Sequence, residues 1–311
     1  MILSASRRTD LPCAHAEWLC ARFRAGETLV RNPMNPRRVS RVSLRREDVD
    51  GIVFWSKNPR PLMARLGVFD GYAYYFQFTL NGYGPEIEPN LPGVAERLAT
   101  FRALSGKIGP ERVLWRYDPI LLSRVHSEAW HEDCFGRLAE ALRGCTRRAT
   151  ISFLDIYARN RSRLLQAGAA APDGETMHRL AAKIARTARA NGMEPCACAE
   201  PTDFGGCGVA RARCVDAELL GRIGGIPLRA PRDPNQRAEC GCAVSVDLGA
   251  YNTCPNGCVY CYANFSPPLL RERLARRNDA SPLLCDALSE GDCVTERKRA
   301  SLREGQLRME W

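Results

Sequence analysis

Arg112-Val-Leu-Trp-Arg-Tyr-Asp-Pro-Ile120 opens the segment on which the fold turns. A strand-length apolar run, Arg112–Tyr117, is followed at Trp130–Leu142 by Leu, Ala and Phe at helical spacing, then at Thr150–Leu154 by a second short apolar run. Strand, helix and strand in that order make a βα repeat. The same alternation runs outward in both directions. Further strands are expected at Met1–Ala5, Gly51–Trp55, Tyr72–Leu80, Met193–Cys198 and Val244–Leu248, with helices at Ala14–Ala25, Gly93–Leu104 and Thr176–Ala190. Alternating strands and helices imply a parallel sheet. The number of repeats fits an α/β fold of the (β/α) barrel type, full or partial, in one domain over residues 1–270 that includes a cysteine-rich segment at 240–264. An open doubly wound sheet is the alternative, but no G-x-G-x-x-G follows the first strand. Residues 271–311 read as a charged extension whose Glu296-Arg-Lys-Arg299 run is a solvated helix face or a nucleic-acid contact.

Composition narrows the function classes. With 311 residues, 45% hydrophobic and 26% charged, the chain has the make-up of a globular protein, not of a fibrous or disordered one. No apolar run reaches the ~18 residues of a membrane span, and Met1-Ile-Leu-Ser-Ala-Ser-Arg-Arg is no export signal. The expectation is a soluble cytoplasmic protein with no membrane role. Fifteen cysteines are many for a reducing compartment and point to metal binding or redox chemistry rather than disulfides. Net charge is +10, and only Lys57, Lys107, Lys183 and Lys298 of the 45 basic residues are lysines. Arginine forks suit phosphate, so an anionic substrate or a nucleic acid fits; GC-rich coding explains the same bias without function.

Polar residues gather where each expected strand ends: Ser6, Arg7, Arg8 and Asp10; Ser56, Lys57 and Asn58; Gln77 and Thr79; Arg116 and Asp118; Ser152 and Asp155; Glu200. In a (β/α) barrel these ends share one face, the face that carries active sites. Arg116, Asp118, Glu200 and Lys57 are the candidate catalytic residues, Asp118 and Glu200 as proton acceptors or substrate anchors. Trp55, Tyr75, Trp115 and Tyr117 are placed to wall a dry pocket or to fill the core. His15, His126, His131 and His178 fall on helical stretches and read as surface or capping residues with no chemical role.

The most specific signal is late, in Tyr251-Asn-Thr-Cys-Pro-Asn-Gly-Cys-Val-Tyr-Cys-Tyr-Ala-Asn264. Cys254, Cys258 and Cys261 form C-x3-C-x2-C. Three thiolates on a short loop can hold three irons of a [4Fe-4S] cube and leave the fourth open to a small molecule. Structural zinc, with Cys240 or Cys242 as fourth ligand, is the rival, although zinc sites more often pair two C-x2-C knuckles. Cys198, Cys214, Cys240 and Cys242 form a second group, enough for an auxiliary closed [4Fe-4S] cluster or for zinc. Cys196 and Cys207 are possible substitutes in that group. Cys13, Cys20, Cys134, Cys145, Cys285 and Cys293 read as small hydrophobes.

Taken with SASRRTD near the start, IVFWSKNP, YYFQFTLNGYG, VLWRYDPI and ISFLDIY, the cysteine loop resembles one bacterial family of unknown function, distantly related to radical S-adenosylmethionine enzymes. Its CPNGCVYCYA is locally similar to the cluster loop of spore photoproduct lyase. The resemblance implies a [4Fe-4S] cluster whose open iron chelates S-adenosylmethionine, reductive cleavage to a 5′-deoxyadenosyl radical, and hydrogen abstraction from a substrate. It also implies a reductant protein such as flavodoxin or ferredoxin. In such enzymes the loop follows the first strand, whereas here it begins at residue 254. A permuted barrel is therefore expected, with Val244–Leu248 in the place of the first strand and Met1–Ala5 beside it. Ser4, Ser6, Arg7, Gln77, Ser152 and Tyr260, with Lys57 and Arg116, are the candidates for holding the cofactor's ammonium and carboxylate. Two alternatives remain: a zinc-stabilised nucleic-acid-binding protein and a non-catalytic iron–sulfur electron-transfer protein.

Overall fold

The computed structural model describes residues 1–304. In chain order the strands are β1 (Ile2–Ala5), β2 (Glu27–Arg31), β3 (Arg38–Ser43), β4 (Gly51–Ser56), β5 (Tyr74–Thr79), β6 (Val113–Ile120), β7 (Arg148–Phe153), β8 (Glu194–Ala197), β9 (Ala210–Arg211), β10 (Val246–Asp247) and β11 (Cys293–Glu296). The helices are α1 (Leu11–Ala14), α2 (Ala16–Ala25), α3 (Arg60–Met63), α4 (Val94–Ile108), α5 (Glu128–Ala141), α6 (Arg161–Gln166), α7 (Gly174–Ala190), α8 (Ala217–Gly224) and α9 (Pro267–Ala275). All seven expected strands join one eight-stranded sheet in the order β10-β1-β4-β5-β6-β7-β8-β9, and every pairing in it is parallel. Leu3 is in register with Val246, so the late strand lies beside the first as permutation requires. Barrel closure is not observed: β10 and β9 stand at opposite edges, with no pairing between them among the described residues. The two-residue β9 and β10 are too short to carry the ladder round.

Period-two alternation sends side chains to both sheet faces, and both are buried, so the central strands read as nearly continuous apolar runs. From β5, Tyr74, Phe76 and Phe78 face the helices; Tyr75 and Gln77 face the other way. The helix side is aromatic. Phe54 stacks on Phe76 at 4.7 Å, Phe78 meets Phe101 of α4 at 4.8 Å, and Trp115 lies nearly flat on Phe135 of α5 at 4.6 Å. Helix starts are fixed by side-chain caps: Ser127, Asp173 and Asp216 accept the backbone N–H of Trp130, Thr176 and Leu219. On the opposite face lie α8 and the chain at 212–243, packed on Ile2, Val53, Tyr75 and Leu114. Tyr75 ties them down: its hydroxyl donates to the Cys214 carbonyl at 2.7 Å and accepts from the Asp216 N–H at 2.9 Å. Gly51 permits the approach, since a Cβ there would stand 2.7 Å from the Leu220 side chain.

Four strands were not expected. β9 extends the edge of the parallel sheet, while β2, β3 and β11 form a separate sheet in which β2 and β3 run antiparallel and β11 pairs parallel to β3. The segment after residue 270 is thereby built into the body. The Ser281 carbonyl accepts from Trp18 Nε1 at 2.9 Å, Leu284 and Cys285 join the main core, and the Leu302 N–H reaches Asp50 at 2.9 Å. Glu296, expected on a solvated helix face, sits on strand β11, and the next residue, Arg297, bonds the Arg41 carbonyl. Residues 305–311 of the expected extension lie outside the described residues. Three histidines expected at the surface are buried: His131 bonds the Tyr117 hydroxyl and the Leu121 carbonyl, His15 holds the Thr253 carbonyl, and His126 contacts Ser123. Among the described residues no helix is long and apolar enough to cross a membrane.

Trp115 combines complete burial, ring stacking and a 2.9 Å bond from Nε1 to the Leu80 carbonyl. Trp115→Ala is expected to cost about 3–5 kcal/mol in denaturant unfolding, while Trp115→Phe, which keeps the ring contact, should cost clearly less. Equal costs for the two variants would contradict the packing described.

Candidate functional site

A cavity of about 330 Å³ opens at the C-terminal ends of β1, β4, β6 and β7. Alternation along β6 puts Arg116 on its side of the sheet, while Trp115 and Tyr117 go to the helix-side core. All seven nominated cysteines line this one cavity: Cys254, Cys258 and Cys261 from the late loop, and Cys198, Cys214, Cys240 and Cys242 from the chain covering the sheet. Ser6, Arg7, Lys57, Arg116, Asp118, Ser152, Tyr260 and Trp55 line it too. Three nominated residues do not. Ser4 lies beneath, donating to Asp247 at 2.9 Å and accepting from Trp55 Nε1 at 3.1 Å. Gln77 spends its amide on the Cys214 carbonyl at 2.8 Å. Glu200 sits beside the cavity, its carboxylate accepting from the Phe153 N–H at 2.7 Å and the Ser152 hydroxyl at 3.1 Å. Tyr75, Trp115 and Tyr117 fill the core.

The late cysteine loop is held by side chains on its backbone carbonyls. Asn90 bonds the Pro255 carbonyl at 2.8 Å, Asn160 that of Tyr260 at 3.0 Å, Arg163 that of Cys258 at 3.4 Å, and Asn264 that of Cys254. Asn256 of the loop donates to Asp10 at 3.2 Å, and the same Asp10 oxygen takes the Lys57 N–H at 2.8 Å. Gly257 makes the turn with φ +71, and a Cβ there would press on Asn90 and Pro89. Such fixation sets the thiols before anything binds. Burial pushes the Cys254 thiol up to about 12 and Cys258 higher still, with nearby Asp10 adding to the first. Those sulfurs are therefore poor free nucleophiles, and a metal is the natural way to draw their protons off.

Beside the loop is a charge cluster that sequence reading missed. Glu88, fully buried, pairs with Lys57 at 3.0 Å and Arg97 at 2.7 Å, and accepts from the Tyr260 hydroxyl. Burial alone would raise its carboxyl; the two cations outweigh that and hold it below the ordinary range. The charge of Lys57 is likewise secured by Glu88 against the burial that would remove it. Asp247 is the second omission, and its place inside an apolar strand run was a signal. Across the cavity, Arg116 is buried, bonded through Nε to Asp118 at 3.1 Å and through Nη1 to Cys214 Sγ at 2.8 Å.

The four other cysteines are grouped. Cys214 and Cys198 sulfurs are 3.1 Å apart, the Val215 N–H reaches Cys242 Sγ at 3.3 Å, and Cys214, Cys240 and Cys242 share one buried cluster with Cys198 packed against it. Hydrogen bonding from Cys242 lowers the Cys240 thiol to about 7. Among the described residues no three metal-ligating side chains already stand at ion-binding geometry.

Glu88→Gln leaves two buried cations with one partner fewer and is expected to destabilise by about 3–5 kcal/mol in denaturant melts. A change under ~1 kcal/mol would show that the cluster is solvated. Glu200 is raised to about 7 by burial, against the bonds from Phe153 and Ser152. A carboxyl raised on folding binds more protons folded than unfolded between about 4.5 and 7, so its contribution to stability falls as pH rises through that window. Glu200→Gln keeps the acceptor without the charge and should raise the melting temperature at pH 8 more than at pH 5; an equal shift at both would refute the assignment.

No curated protein matches this chain. A family model does: the one described as Domain of unknown function (DUF1848) matches residues 2–263, both cysteine groups and the whole parallel sheet included, and the chain belongs to that family.

Proposed function

We propose that this chain is a radical S-adenosylmethionine enzyme in which Cys254, Cys258 and Cys261 hold three irons of a [4Fe-4S] cluster. The observation that carries this reading is the prefixed loop: three thiols, on a backbone held at four of its carbonyls, facing a cavity at the ends of parallel strands. The donor set fits, being three sulfurs with the cavity beside them. When bound, the cluster would supply the electron that cleaves the cofactor's sulfonium to a 5′-deoxyadenosyl radical for hydrogen abstraction.

The chain's own residues supply binding and charge. Arg7, held near Asp247 and Asp233 and over the Trp55 ring at 5.9 Å, presents a guanidinium suited to a carboxylate. Asp118, whose side chain is one-quarter exposed, and the Ser6 and Ser152 hydroxyls offer acceptors for an ammonium. Lys57, fixed by Glu88 and lying 5.1 Å over the Tyr260 ring, keeps positive charge beside Cys258 and favours its thiolate. Trp55 and Tyr260 narrow the cavity and displace water. Net charge of +10 and the arginines around the cavity suit an anionic substrate, nucleic acid included. The reading places the enzyme in the cytoplasm with a flavodoxin- or ferredoxin-class reductant.

Anaerobic reconstitution with iron and sulfide, then dithionite and S-adenosylmethionine, tests it. About four irons per chain beyond any tightly bound metal, absorbance that bleaches on reduction, and 5′-deoxyadenosine by chromatography are expected. Cys254→Ser, Cys258→Ser and Cys261→Ser should each abolish the nucleoside. A cluster that forms without cleaving the cofactor would favour electron transfer instead, and failure to take up iron, with salt-sensitive nucleic-acid binding, would favour the zinc-stabilised binder.

A further inference from the structure

We infer that Cys198, Cys214, Cys240 and Cys242 form a closed tetrahedral site for one zinc ion, separate from the late cysteine loop. This does not depend on the radical-enzyme reading. The sulfurs come from three chain segments: the end of β8, the chain just before α8, and the Cys240-Gly-Cys242 turn. Backbone bonds bring those segments to one point, Ala212 N–H to the Ala197 carbonyl at 2.7 Å and Ala243 N–H to the Val215 carbonyl at 2.9 Å, and a 3.1 Å approach of Cys214 to Cys198 is far longer than the ~2.05 Å of a disulfide.

Spacing chooses between one ion and a cube. Thiolates on a single tetrahedral ion, with metal–sulfur bonds of ~2.3 Å, stand about 3.8 Å apart. In a [4Fe-4S] cube each thiolate takes its own iron, well beyond sulfur-to-sulfur contact. Here the Cys198 and Cys214 sulfurs stand 3.1 Å apart, and Cys214, Cys240 and Cys242 are buried in one cluster with Cys198 packed against it, a grouping tight enough for one ion.

The surroundings match a dianionic centre. Binding a divalent ion releases the four thiol protons and leaves a net charge of −2. The Arg116 guanidinium donates to Cys214 Sγ at 2.8 Å, and a backbone N–H donates to Cys242 Sγ at 3.3 Å. Such outer donors hold thiolate ligands in place. Four sulfurs with no open position make the site structural, pinning the chain at 212–243 over the sheet.

Metal analysis of the full chain, purified in reductant and again after removal of metal and titration with zinc or cobalt(II) alone, decides the matter. One zinc per chain is expected, and cobalt should give intense sulfur-to-metal charge-transfer bands with the visible pattern of four thiolates. The double variant Cys254→Ser/Cys258→Ser, which blocks iron loading at the late loop, should keep the zinc. Cys214→Ser and Cys242→Ser should lose it, and should these fail to fold, Arg116→Gln, with all four sulfurs intact, should weaken zinc binding about tenfold or more. The proposal is overturned if zinc follows the late loop, if the four thiols alkylate freely in the native protein, if Cys198 and Cys214 form a disulfide, or if iron with sulfide is what the four hold.

Discussion

Asp247 lies at the sheet edge where β10 meets β1. Its carboxylate accepts from the hydroxyls of Ser4 and Ser6 and from the N–H groups of Arg7 and Gly249. Four donors on one carboxylate clamp the late strand onto the first and set the height at which the chain leaves the sheet toward Cys254. Gly249 allows the clamp to close, since a Cβ at that position would stand 2.1 Å from the Ser6 hydroxyl. This junction fixes where the cysteine loop starts, and the bonds from Asn90, Asn160 and Arg163 then hold its carbonyls. With it, Asp10, Lys57 and Asn256 fall into one hydrogen-bonded group beside the thiols.

The sheet divides labour between its faces. On one side aromatic rings and four longer helices, α2, α4, α5 and α7, make a core that carries the stability. On the other, α8 and a loop-rich segment cover the strands, leaving a cavity only where the strands end. Polar side chains on that inner face are spent first on tying the cover down, as Tyr75 and Gln77 do, and reach the cavity only at the rim, as Arg116 and Ser152 do.

Local pattern revealed much of this. Seven of the eight strands of the parallel sheet were legible because strands buried on both faces produce runs such as Tyr-Tyr-Phe-Gln-Phe that mimic little else. The strand at Val244–Leu248 was legible as an apolar run just before the cysteine loop, and it pairs with the first strand. β2 and β3 were not: Glu27–Arg31 and Arg38–Ser43 mix arginine, serine and valine, and only pairing with each other, and with β11 from far along the chain, makes them strands. Glu88 was invisible because its significance is its burial between Lys57 and Arg97, which no spacing encodes. Ser4 and Gln77 were nominated from their place near strand ends; a rise of one or two residues along the strand separates a rim position from one beneath the cover. A (β/α) barrel, full or partial, was expected from the repeat count, and closure is not observed because two-residue edge strands do not supply the ladder.

Because the cavity is walled by Ser6–Asp10 from the chain's opening and by 254–262 from its last fifth, the central strands and their aromatic core can assemble on the ribosome while no binding site yet exists. The late loop and the segment after the first strand must meet before that cavity is complete, so its wall closes only when β10 has docked beside β1.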